Sequence, residues 1–461
     1  MSIEKIFKAY DVRATTPEPL NEDAAWRVGH AAAQFLKRSR ATTEVKVGRE
    51  DTIVVGGDMR PHTPSLKAAL IDGIRSVGTH VIDVGMIDTS FIYFAINHLD
   101  CVGGIQVTAS HNPIHYNGFK ISGPKAVPIG SASGLDDIKR IAVQTRVGKT
   151  GLEGKLEEMD LWVPYREHVH QFLDLPNPIK IAVDASNGMA GVMVPKVFEG
   201  VPNLEIEKIL FEVTGSFTHE PNPLVEENLK WVQDEVKKGG YAAGGCFDGD
   251  ADRCIFVDEK GDTVGCDILT ALLTPDFLAG NDGATVVYDL RSSHIVPDTI
   301  TAHGGVPKRD RVGHAFIKKT MKETTGVFAG ELSGHFYFKD NFYADSGAMA
   351  FAALVSHLSK AGKPLSELVA PLKKYAQSGE INYEVEDKDG KIRELADVYR
   401  KAKSIDYLDG ITIEMDDWWF NVRKSNTEPL LRLNLEANTQ AEVDQRVAEL
   451  QKLLGEPAEG H

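Results

Sequence analysis

Three aspartates, Asp248, Asp250 and Asp252, alternate with small residues directly after an apolar stretch of the chain. Carboxylates this close repel one another unless a cation neutralises them, and hard oxygen ligands favour Mg²⁺ or Ca²⁺ over softer metals. An EF-hand is the rival interpretation, because Glu259 stands at its twelfth position. Its sixth position requires glycine and is occupied by Arg253, and the apolar residues that follow have the pattern of a strand. The segment therefore predicts a metal-binding loop between two apolar strands.

A serine lies just beyond the end of another predicted strand, in residues 108–113. Pro113 disfavours helical geometry at Asn112, so the segment predicts a rigid loop and not the start of a helix. Ser110, at a strand end and followed by His111, is a candidate nucleophile or phosphate carrier. Taken alone, the segment is also compatible with an ordinary Ser/Asn-rich turn.

Glu331, Ser333 and His335 alternate among glycines in a third segment. Alternation sends such side chains to one side of an extended chain, where a carboxylate, a hydroxyl and an imidazole suit the hydroxyls of a sugar. Upstream, Arg311 and Lys318 supply cations that could face the same cleft.

A fourth polar segment contains Arg423, Ser425, Asn426 and Thr427. We predict a short loop here between two strands, because apolar strand-like segments flank it. Such a loop can bind a phosphate through arginine and backbone N–H donors. An ordinary polar hairpin loop is the alternative for this segment alone.

The elements that must position these loops alternate between strands and helices. Residues 52–57, 81–85 and 102–107 predict buried strands, and apolar spacing within residues 66–74 predicts a helix between the first two. This order is typical of a mostly parallel sheet with crossover helices. Further along, residues 224–238 and 440–454 predict helices.

A polar stretch over residues 148–160 predicts a linker after the first unit. We therefore predict α/β units carrying the serine, metal-binding and sugar-binding loops, followed by a smaller α+β unit with the phosphate loop. The predicted domains are residues 1–150, 158–256, 260–372 and 376–461.

Composition excludes several classes of protein. Of 461 residues, 42% are hydrophobic, and 51 Lys and Arg against 67 Asp and Glu give a net charge of −16. This balance argues against a disordered protein and against generic nucleic-acid binding, which requires a basic surface. The four cysteines form no C-x-x-C pair, which favours buried reduced thiols over a disulfide framework or a zinc site. Without a signal-like start or a span of about 20 apolar residues, we predict a soluble, cytoplasmic protein with no membrane partner.

The four loops, in this order and spacing, resemble those of the α-D-phosphohexomutase superfamily, particularly its bifunctional phosphomannomutase/phosphoglucomutase group. Residues 7–13 (Phe-Lys-Ala-Tyr-Asp-Val-Arg) and 117–120 (Asn-Gly-Phe-Lys) match further motifs, so that the resemblance covers essentially the whole chain. It implies a heart-shaped, four-domain α/β enzyme. Such an enzyme interconverts the 1-phosphates and 6-phosphates of mannose, glucose or both through a phosphoserine and a hexose 1,6-bisphosphate intermediate.

The resemblance also implies residue roles. Ser110 would be the phosphoserine, and one of its phosphate oxygens would join the three loop aspartates as ligands of Mg²⁺; hexose 1,6-bisphosphate would be the activator. The other implied catalytic residues, with Lys120 and His335 in acid/base work, are Arg13, His111, Lys120, Arg253 and His335. The implied residues for sugar and phosphate binding are Tyr10, Arg291, His314, Glu331, Ser333, Arg423, Ser425, Asn426 and Thr427.

Two residues depart from the pattern of this group. Arg291 stands where lysine is common, which keeps the charge but changes its geometry, and Glu428 stands where a neutral residue is common. Both concern substrate preference and leave the reaction class intact.

Three alternatives are weaker than a phosphomannomutase/phosphoglucomutase. Glu331-Leu-Ser argues against a phosphoglucosamine mutase. A metal-dependent phosphatase using Ser110 would not need the separate Arg423 loop, and an intact serine and metal loop argue against a non-catalytic sugar-phosphate binding protein. The expected partner is a hexose phosphate, and the protein is expected to be a monomer or a homodimer.

Overall fold

The computed structural model describes residues 3–40, 48–148, 151–425 and 430–458, with the side chains of residues 39 and 40 left out. The chain divides into two compact units, one of residues 1–264 with 333–366 and the other of residues 265–332 with 367–461. Across the described ranges, no helix is both long and apolar enough to cross a membrane.

The first sheet of the first unit is mixed and not wholly parallel. Its strands, in spatial order, are Val12–Thr15, Tyr116–Ser122, Cys101–Val107, Arg49–Gly57, His80–Met86 and Leu156–Glu158. The last four run parallel to one another, whereas Tyr116–Ser122 is antiparallel to both of its neighbours. The strand Leu156–Glu158 corrects our prediction of a linker over residues 148–160, because backbone pairing along a sheet edge does not require apolar side chains.

Helices accompany this sheet, including the one predicted from the apolar spacing within residues 66–74. They are Glu22–Arg40, Thr63–Arg75, Thr89–His98 and Leu135–Gln144, with short 3₁₀ turns at Ile3–Ile6, Pro124–Ala126 and Ser131–Ser133. Leu66, Leu70 and Ile74 of the second helix join Ile53 and Val55 of a strand in one buried core. Burial of these apolar side chains fixes the sheet edge from which the serine loop emerges.

A second sheet completes the framework of the first unit. Its strands, in order, are Thr263–Val264, Cys254–Asp258, Ala243–Phe247, Ile179–Asp184 and Leu204–Ile209. Its helices are Trp162–His170, Ala190–Phe198, Lys230–Val236 and Gly347–Ala361, and the strands Phe336–Phe338 and Ala344–Asp345 pair as a hairpin around the 3₁₀ turn Lys339–Asn341. The helix predicted over residues 224–238 is shorter than expected: it spans Lys230–Val236 and is preceded by a 3₁₀ turn, Glu226–Leu229.

The second unit contains parallel and antiparallel parts. The parallel strands are Val306–Asp310, Thr285–Asp289 and Phe328–Gly330, accompanied by the helices Cys266–Leu278, Ile295–Ala302 and His314–Thr324. The short helix Leu365–Val369 and the turn Ala370–Leu372 lie where the chain passes from one unit to the other.

The C-terminal part of the second unit is an antiparallel sheet with helices, as predicted for an α+β unit. Its strands, in order, are Ala376–Glu384, Leu430–Ala437, Trp418–Lys424, Ile411–Glu414 and Ser404–Asp406, and its helices are Lys388–Val398 and Gln440–Leu454. Gln440–Leu454 has the predicted bounds, with Leu450 and Leu454 buried in the core. Arg423 corrects a prediction: it lies within the strand Trp418–Lys424 and not in a loop, since strand pairing continues through it to Arg432 of the neighbouring strand.

Candidate active site

Ser110 lies three residues beyond the strand Cys101–Val107 in a strained backbone conformation. Its φ is +51°, in the left-handed region that costs a non-glycine residue roughly 1–2 kcal/mol. The backbone N–H of Ser110 donates to Thr108 Oγ1 at 2.9 Å. The hydroxyl itself donates to Asp248 Oδ2 at 3.1 Å and lies 3.4 Å from His111 Nδ1. The strain therefore aims a buried serine oxygen at the aspartate loop.

The aspartate loop joins the antiparallel strands Ala243–Phe247 and Cys254–Asp258, as predicted from the apolar sequence on either side. Gly249 permits close contact with the serine loop, since a Cβ there would lie 2.5 Å from the carbonyl oxygen of Ser110. Asp250 is held by the first residue of the helix Thr89–His98: Thr89 Oγ1 donates to its Oδ2 at 2.5 Å. Elements from both sheets of the first unit thus fix the loop.

The three loop carboxylates fit a divalent cation. Asp248, Asp250 and Asp252 are buried, and one oxygen from each lies within 4.8 Å of the others. Asp250 Oδ1 accepts no hydrogen bond from the described residues although it is buried. An orphaned hard oxygen among other carboxylates is the donor set that Mg²⁺ or Ca²⁺ prefers.

Lys120 is the nearest cation to these carboxylates. Its Nζ donates to Asp250 Oδ2 at 2.7 Å and to Asp252 Oδ2 at 2.6 Å. Burial alone would lower the pKa of Lys120, but the two carboxylates overcome this and raise it, so the ammonium is charged. Burial, together with Asp252 and Asp250, raises the pKa of Asp248 well above its usual range. The three carboxyl groups therefore carry more potential negative charge than Lys120 alone can neutralise.

The pKa of Asp252 is shifted in the opposite direction from that of Asp248. Burial opposes its ionisation, but Lys120, His335 and Arg253 hold its pKa well below the usual range. Arg253 Nε donates to His335 Nε2 at 3.3 Å, and His335 Nε2 lies 3.6 Å from Asp252 Oδ1. On the other side of the ring, His335 Nδ1 lies 2.9 Å from Ser333 Oγ, so the imidazole is held between Ser333, Arg253 and Asp252.

His111 and Arg13 complete the surroundings of Ser110. Burial and the charges of Arg253, Arg13 and Lys120 lower the pKa of His111 well below its usual value, so the imidazole is neutral. Arg13 Nη1 donates to Asn112 Oδ1 at 2.6 Å, and its other terminal nitrogen pairs with Asp11. The first unit thus brings together the predicted residues Ser110, His111, Arg13, Lys120, Arg253, Ser333, His335 and the three aspartates.

The sugar-loop residues are divided between the two units. Residues 331–335 form a turn and not the extended chain that we predicted, because Gly334 takes a positive φ of +85°. Ser333 and His335 belong to the first unit and Glu331 to the second. Glu331 is buried and accepts from the backbone N–H of Gly313 at 2.9 Å.

The second unit contains a cluster of three arginines around one carboxylate, which we call the arginine cluster. Glu380 accepts from Arg423 Nη2 at 2.9 Å and from Arg432 Nη1 at 2.9 Å, and Arg291 Nη1 lies 3.5 Å away. Burial opposes ionisation of Glu380, but Arg423, Arg291 and Arg432 lower its pKa. Asp289 fixes Arg291 with two further bonds, at 3.2 and 2.8 Å. This cluster presents an excess of positive charge suited to an anion.

For the remaining predicted residues we give only the position in the fold. Tyr10 precedes the strand Val12–Thr15, and His314 begins the helix His314–Thr324. Ser425 is buried just after the strand that carries Arg423. Asn426 and Thr427, with the departure Glu428, lie outside the described residues.

Sequence reasoning missed several residues of the site. Glu380, Arg432 and Asp289 organise the arginine cluster, Thr89 holds the aspartate loop, and Arg60 contacts the serine loop. The segment Asp58-Met-Arg60 immediately after a predicted strand was a usable signal, because polar residues at the ends of parallel strands often lie at sites. Nothing local distinguishes Glu380 from other glutamates on a half-exposed strand.

The fold and these two clusters define an α/β enzyme that carries out phosphoryl transfer. Four family models, described as phosphoglucomutase/phosphomannomutase alpha/beta/alpha domains I, II and III and the C-terminal domain, match residues 4–146, 164–261, 265–375 and 380–453. The chain belongs to this phosphoglucomutase/phosphomannomutase family, within the α-D-phosphohexomutase superfamily, and is a hexose phosphate mutase.

Similar proteins agree with this family. The chain is 38% identical over 444 residues to a phosphomannomutase of Escherichia coli K12, covering 94% of each chain. It is 37% identical over 455 residues to a protein of Xanthomonas campestris named phosphohexose mutases, covering 97% of this chain and 98% of the other. A crystal structure of a phosphoglucomutase/phosphomannomutase family protein from Burkholderia thailandensis has a TM-score of 0.89 at 31% identity, covering 98% of each chain.

Proposed function

We propose that this protein interconverts hexose 1-phosphates and 6-phosphates of glucose and mannose, with Ser110 as the carrier of the phosphoryl group. The observation that carries the proposal is the Ser110 hydroxyl, 3.1 Å from Asp248 in a cluster of three buried carboxylates. A buried serine hydroxyl beside a candidate cation site suits transfer of a phosphoryl group to and from its oxygen.

Each half of the reaction is a balanced transfer. The free hydroxyl oxygen of the substrate bonds to the phosphorus of phosphoserine 110 while the bond from phosphorus to Oγ breaks. The substrate hydroxyl gives its proton to a base, and Ser110 Oγ receives a proton from an acid. Hexose 1,6-bisphosphate and free serine result. Return of the other phosphate to Ser110 then gives the isomer, and added bisphosphate serves as the activator that phosphorylates the enzyme.

The side chains near Ser110 suit these proton transfers. Lys120 is charged and can supply a proton, and the imidazole of His335, 3.6 Å from Asp252, is a group that can accept one. We therefore assign Lys120 as the acid and His335 as the base in one direction, with the roles reversed in the other. Neutral His111 and Arg13 hold the serine loop, and Arg253 offsets charge on the transferring group.

The aspartate loop would hold Mg²⁺ through Asp248, Asp250 and Asp252, together with an oxygen of phosphorylated Ser110. When bound, the ion offsets negative charge on the transferring phosphoryl group. Its presence would also relieve the mutual repulsion of the buried carboxylates.

The non-reacting phosphate would bind at the arginine cluster. Arg423 and Arg291 present guanidinium groups there, and Ser425, Asn426 and Thr427 follow Arg423 in the chain. We assign Glu331 and Ser333 to hydroxyls of the sugar, and Tyr10 and His314 to further contacts with the substrate.

Weak discrimination between glucose and mannose follows from the two binding orientations. A half-turn of the sugar roughly exchanges O3 and O4, so the same acceptors can hold both hydroxyls either way. O2 has no equivalent partner, and glucose and mannose differ only at C2. A site that did bind O2 would separate them by more than about tenfold, because an unpaired buried polar group costs about 1–3 kcal/mol.

One assay tests the proposal and its alternatives. Glucose 1-phosphate, mannose 1-phosphate and glucosamine 1-phosphate are supplied with Mg²⁺ and a trace of hexose 1,6-bisphosphate. We expect 6-phosphates from the first two, with kcat/KM values within about tenfold of each other. Preferred turnover of the glucosamine substrate would identify a phosphoglucosamine mutase. Release of inorganic phosphate without isomer would identify a phosphatase.

A further inference from the structure

Arg60, just beyond the strand Arg49–Gly57, is almost completely buried at 1% exposure. All five of its side-chain N–H groups have partners. Nε donates to Asp58 Oδ2 at 3.0 Å. The other four donate to the backbone carbonyls of Ser110 (2.8 Å), Asn112 (2.7 Å), Pro113 (2.7 Å) and Tyr116 (3.1 Å).

The guanidinium is itself held from several sides. Asp58 Oδ1 accepts from the backbone N–H of Arg60 at 3.0 Å and from Thr63 Oγ1 at 2.6 Å. Asn117 Nδ2 donates to Thr63 Oγ1 at 2.9 Å, and the ring of Phe217 lies 5.3 Å from the guanidinium carbon. These contacts therefore hold the planar guanidinium group of Arg60 in one position.

The serine loop needs such support. Ser110 has a φ of +51°, and buried carbonyls in an irregular loop lose free energy unless each finds a donor. The carbonyl of Ser110 bonds to Arg60 and also faces Gly249 of the aspartate loop, where a Cβ would lie 2.5 Å from it. The contact that fixes the loop thus also fixes its distance from the carboxylates.

We propose that Arg60 and Asp58 form a clamp that positions Ser110 for phosphoryl transfer. This inference rests on the proposed role of Ser110 as the phosphate carrier. Because every N–H of Arg60 is already engaged, Arg60 is a positioning residue and does not bind the phosphate. Loss of the clamp should slow the transfer and leave binding of hexose phosphate unchanged.

Arg60→Lys tests the clamp, because lysine keeps the charge but cannot reach Asp58 and four carbonyls together. Misplacement of a reacting group by about 1 Å can cost 10²-fold, and we expect kcat to fall by about this factor. KM for glucose 1-phosphate should stay within about twofold, as expected when an interaction made only in the transition state is lost.

Arg75→Lys is the matched control. Arg75 also donates to a backbone carbonyl, that of Gly154 at 2.8 Å, and pairs with Glu153, but it makes no bond to the serine loop. A change that is merely structural would lower thermal stability in both variants without changing kcat per folded enzyme.

Three outcomes decide the matter. An Arg60→Lys enzyme with unchanged kcat, or with only a raised KM, would overturn the clamp. If Arg60→Lys does not fold by circular dichroism, Asp58→Asn takes its place, and a kcat equal to wild type would count against the clamp in the same way. Wild-type Ser110 that never takes up phosphate from the bisphosphate would instead defeat the proposed function itself.

Discussion

The aspartate loop of the first unit and the arginine cluster of the second are electrostatic opposites. In the aspartate loop, Lys120 pairs with Asp250 and Asp252, while Arg253 lies 3.8 Å from Asp248 and His335 lies 3.6 Å from Asp252. Around Glu380, three arginines share one carboxylate. We propose that a cation completes the first arrangement and an anion the second. A folded chain tolerates both imbalances because each retains an internal partner that offsets part of the cost of burial.

This contrast explains the different choice of residues in the two regions. Oxygen ligands on a tight loop suit a small, hard cation, whereas planar guanidinium forks on strands suit the oxygens of a phosphate. It also predicts that removing a charge from either region has different consequences. In the first unit the chemical step should suffer, and in the second the binding of substrate should suffer.

The largest effect is expected from the serine that faces the carboxylates. Ser110→Ala removes the atom that carries the phosphoryl group and should lower turnover by at least about 10³-fold. Intact-mass measurement after incubation with hexose 1,6-bisphosphate should show wild-type protein, but not the variant, heavier by one phosphate. Ser65→Ala, at an exposed helix position, is the control. A phosphate on any other residue would contradict the assignment.

Removal of one charge from the aspartate loop should have the next largest effect. Asp250→Asn should lower kcat by about 10²-fold and raise the Mg²⁺ concentration needed for half-activity, because stabilisation of the transferring charge weakens. Asp262→Asn, in an exposed turn, should leave both values unchanged. Titration of activity with Mg²⁺ after treatment with chelator measures both, and full activity in excess chelator would remove the metal from the proposal.

Removal of an arginine from the arginine cluster should weaken binding of the substrate and leave kcat unchanged. Arg423→Ala removes a charge-assisted contact worth roughly 1.5–3 kcal/mol, so KM should rise by about 10- to 100-fold for 1-phosphates and 6-phosphates alike. Arg400→Ala, at an exposed position, should change neither. A loss confined to one isomer would show that the two orientations of the substrate do not share this cluster.

The last contrast concerns the pH dependence of stability and not the activity, and its sign should be opposite in the two regions. Buried Asp88 lies beside the aspartate loop, and burial raises its pKa from 3.8 to about 7, with further help from Asp250. The folded state therefore binds the proton more tightly, and stability falls as pH rises from about 4 to about 7, by about 4 kcal/mol at most. Asp88→Asn should flatten this decline.

Glu380 should show the reverse behaviour. Its pKa is lowered in the folded state, so its contribution is present above its ordinary pKa of 4.5 and is lost as pH falls through the folded value. Glu380→Gln should therefore lose stability at neutral pH and lose less on acidification than wild type. Urea midpoints of wild type and of both variants are measured from pH 3 to 8, and the difference between wild type and each variant gives the contribution of that residue at each pH. If both contributions changed with pH in the same direction, the contrast between the regions would be wrong.

The sequence predicted the chemistry of each loop better than its shape. The hairpin that holds Asp248, Asp250 and Asp252 was predictable, because the flanking residues are apolar on both sides. The position of Arg423 in a strand was not, since polar residues cluster there as they do in loops. The edge strand Leu156–Glu158 was also missed, because backbone hydrogen bonds leave no signature in an exposed polar sequence.

By itself, the sequence determined which side chains are available at the ends of which strands, because local periodicity and residue type fix elements and loops. Only the tertiary structure decided their partners. It brings Ser110 to Asp248, 138 residues away in sequence, and seats Arg60 on four carbonyls of the serine loop. It also places Glu380 among three arginines. Such pairings depend on burial and on contacts between distant segments, and these arise from packing of whole sheets and not from any local pattern.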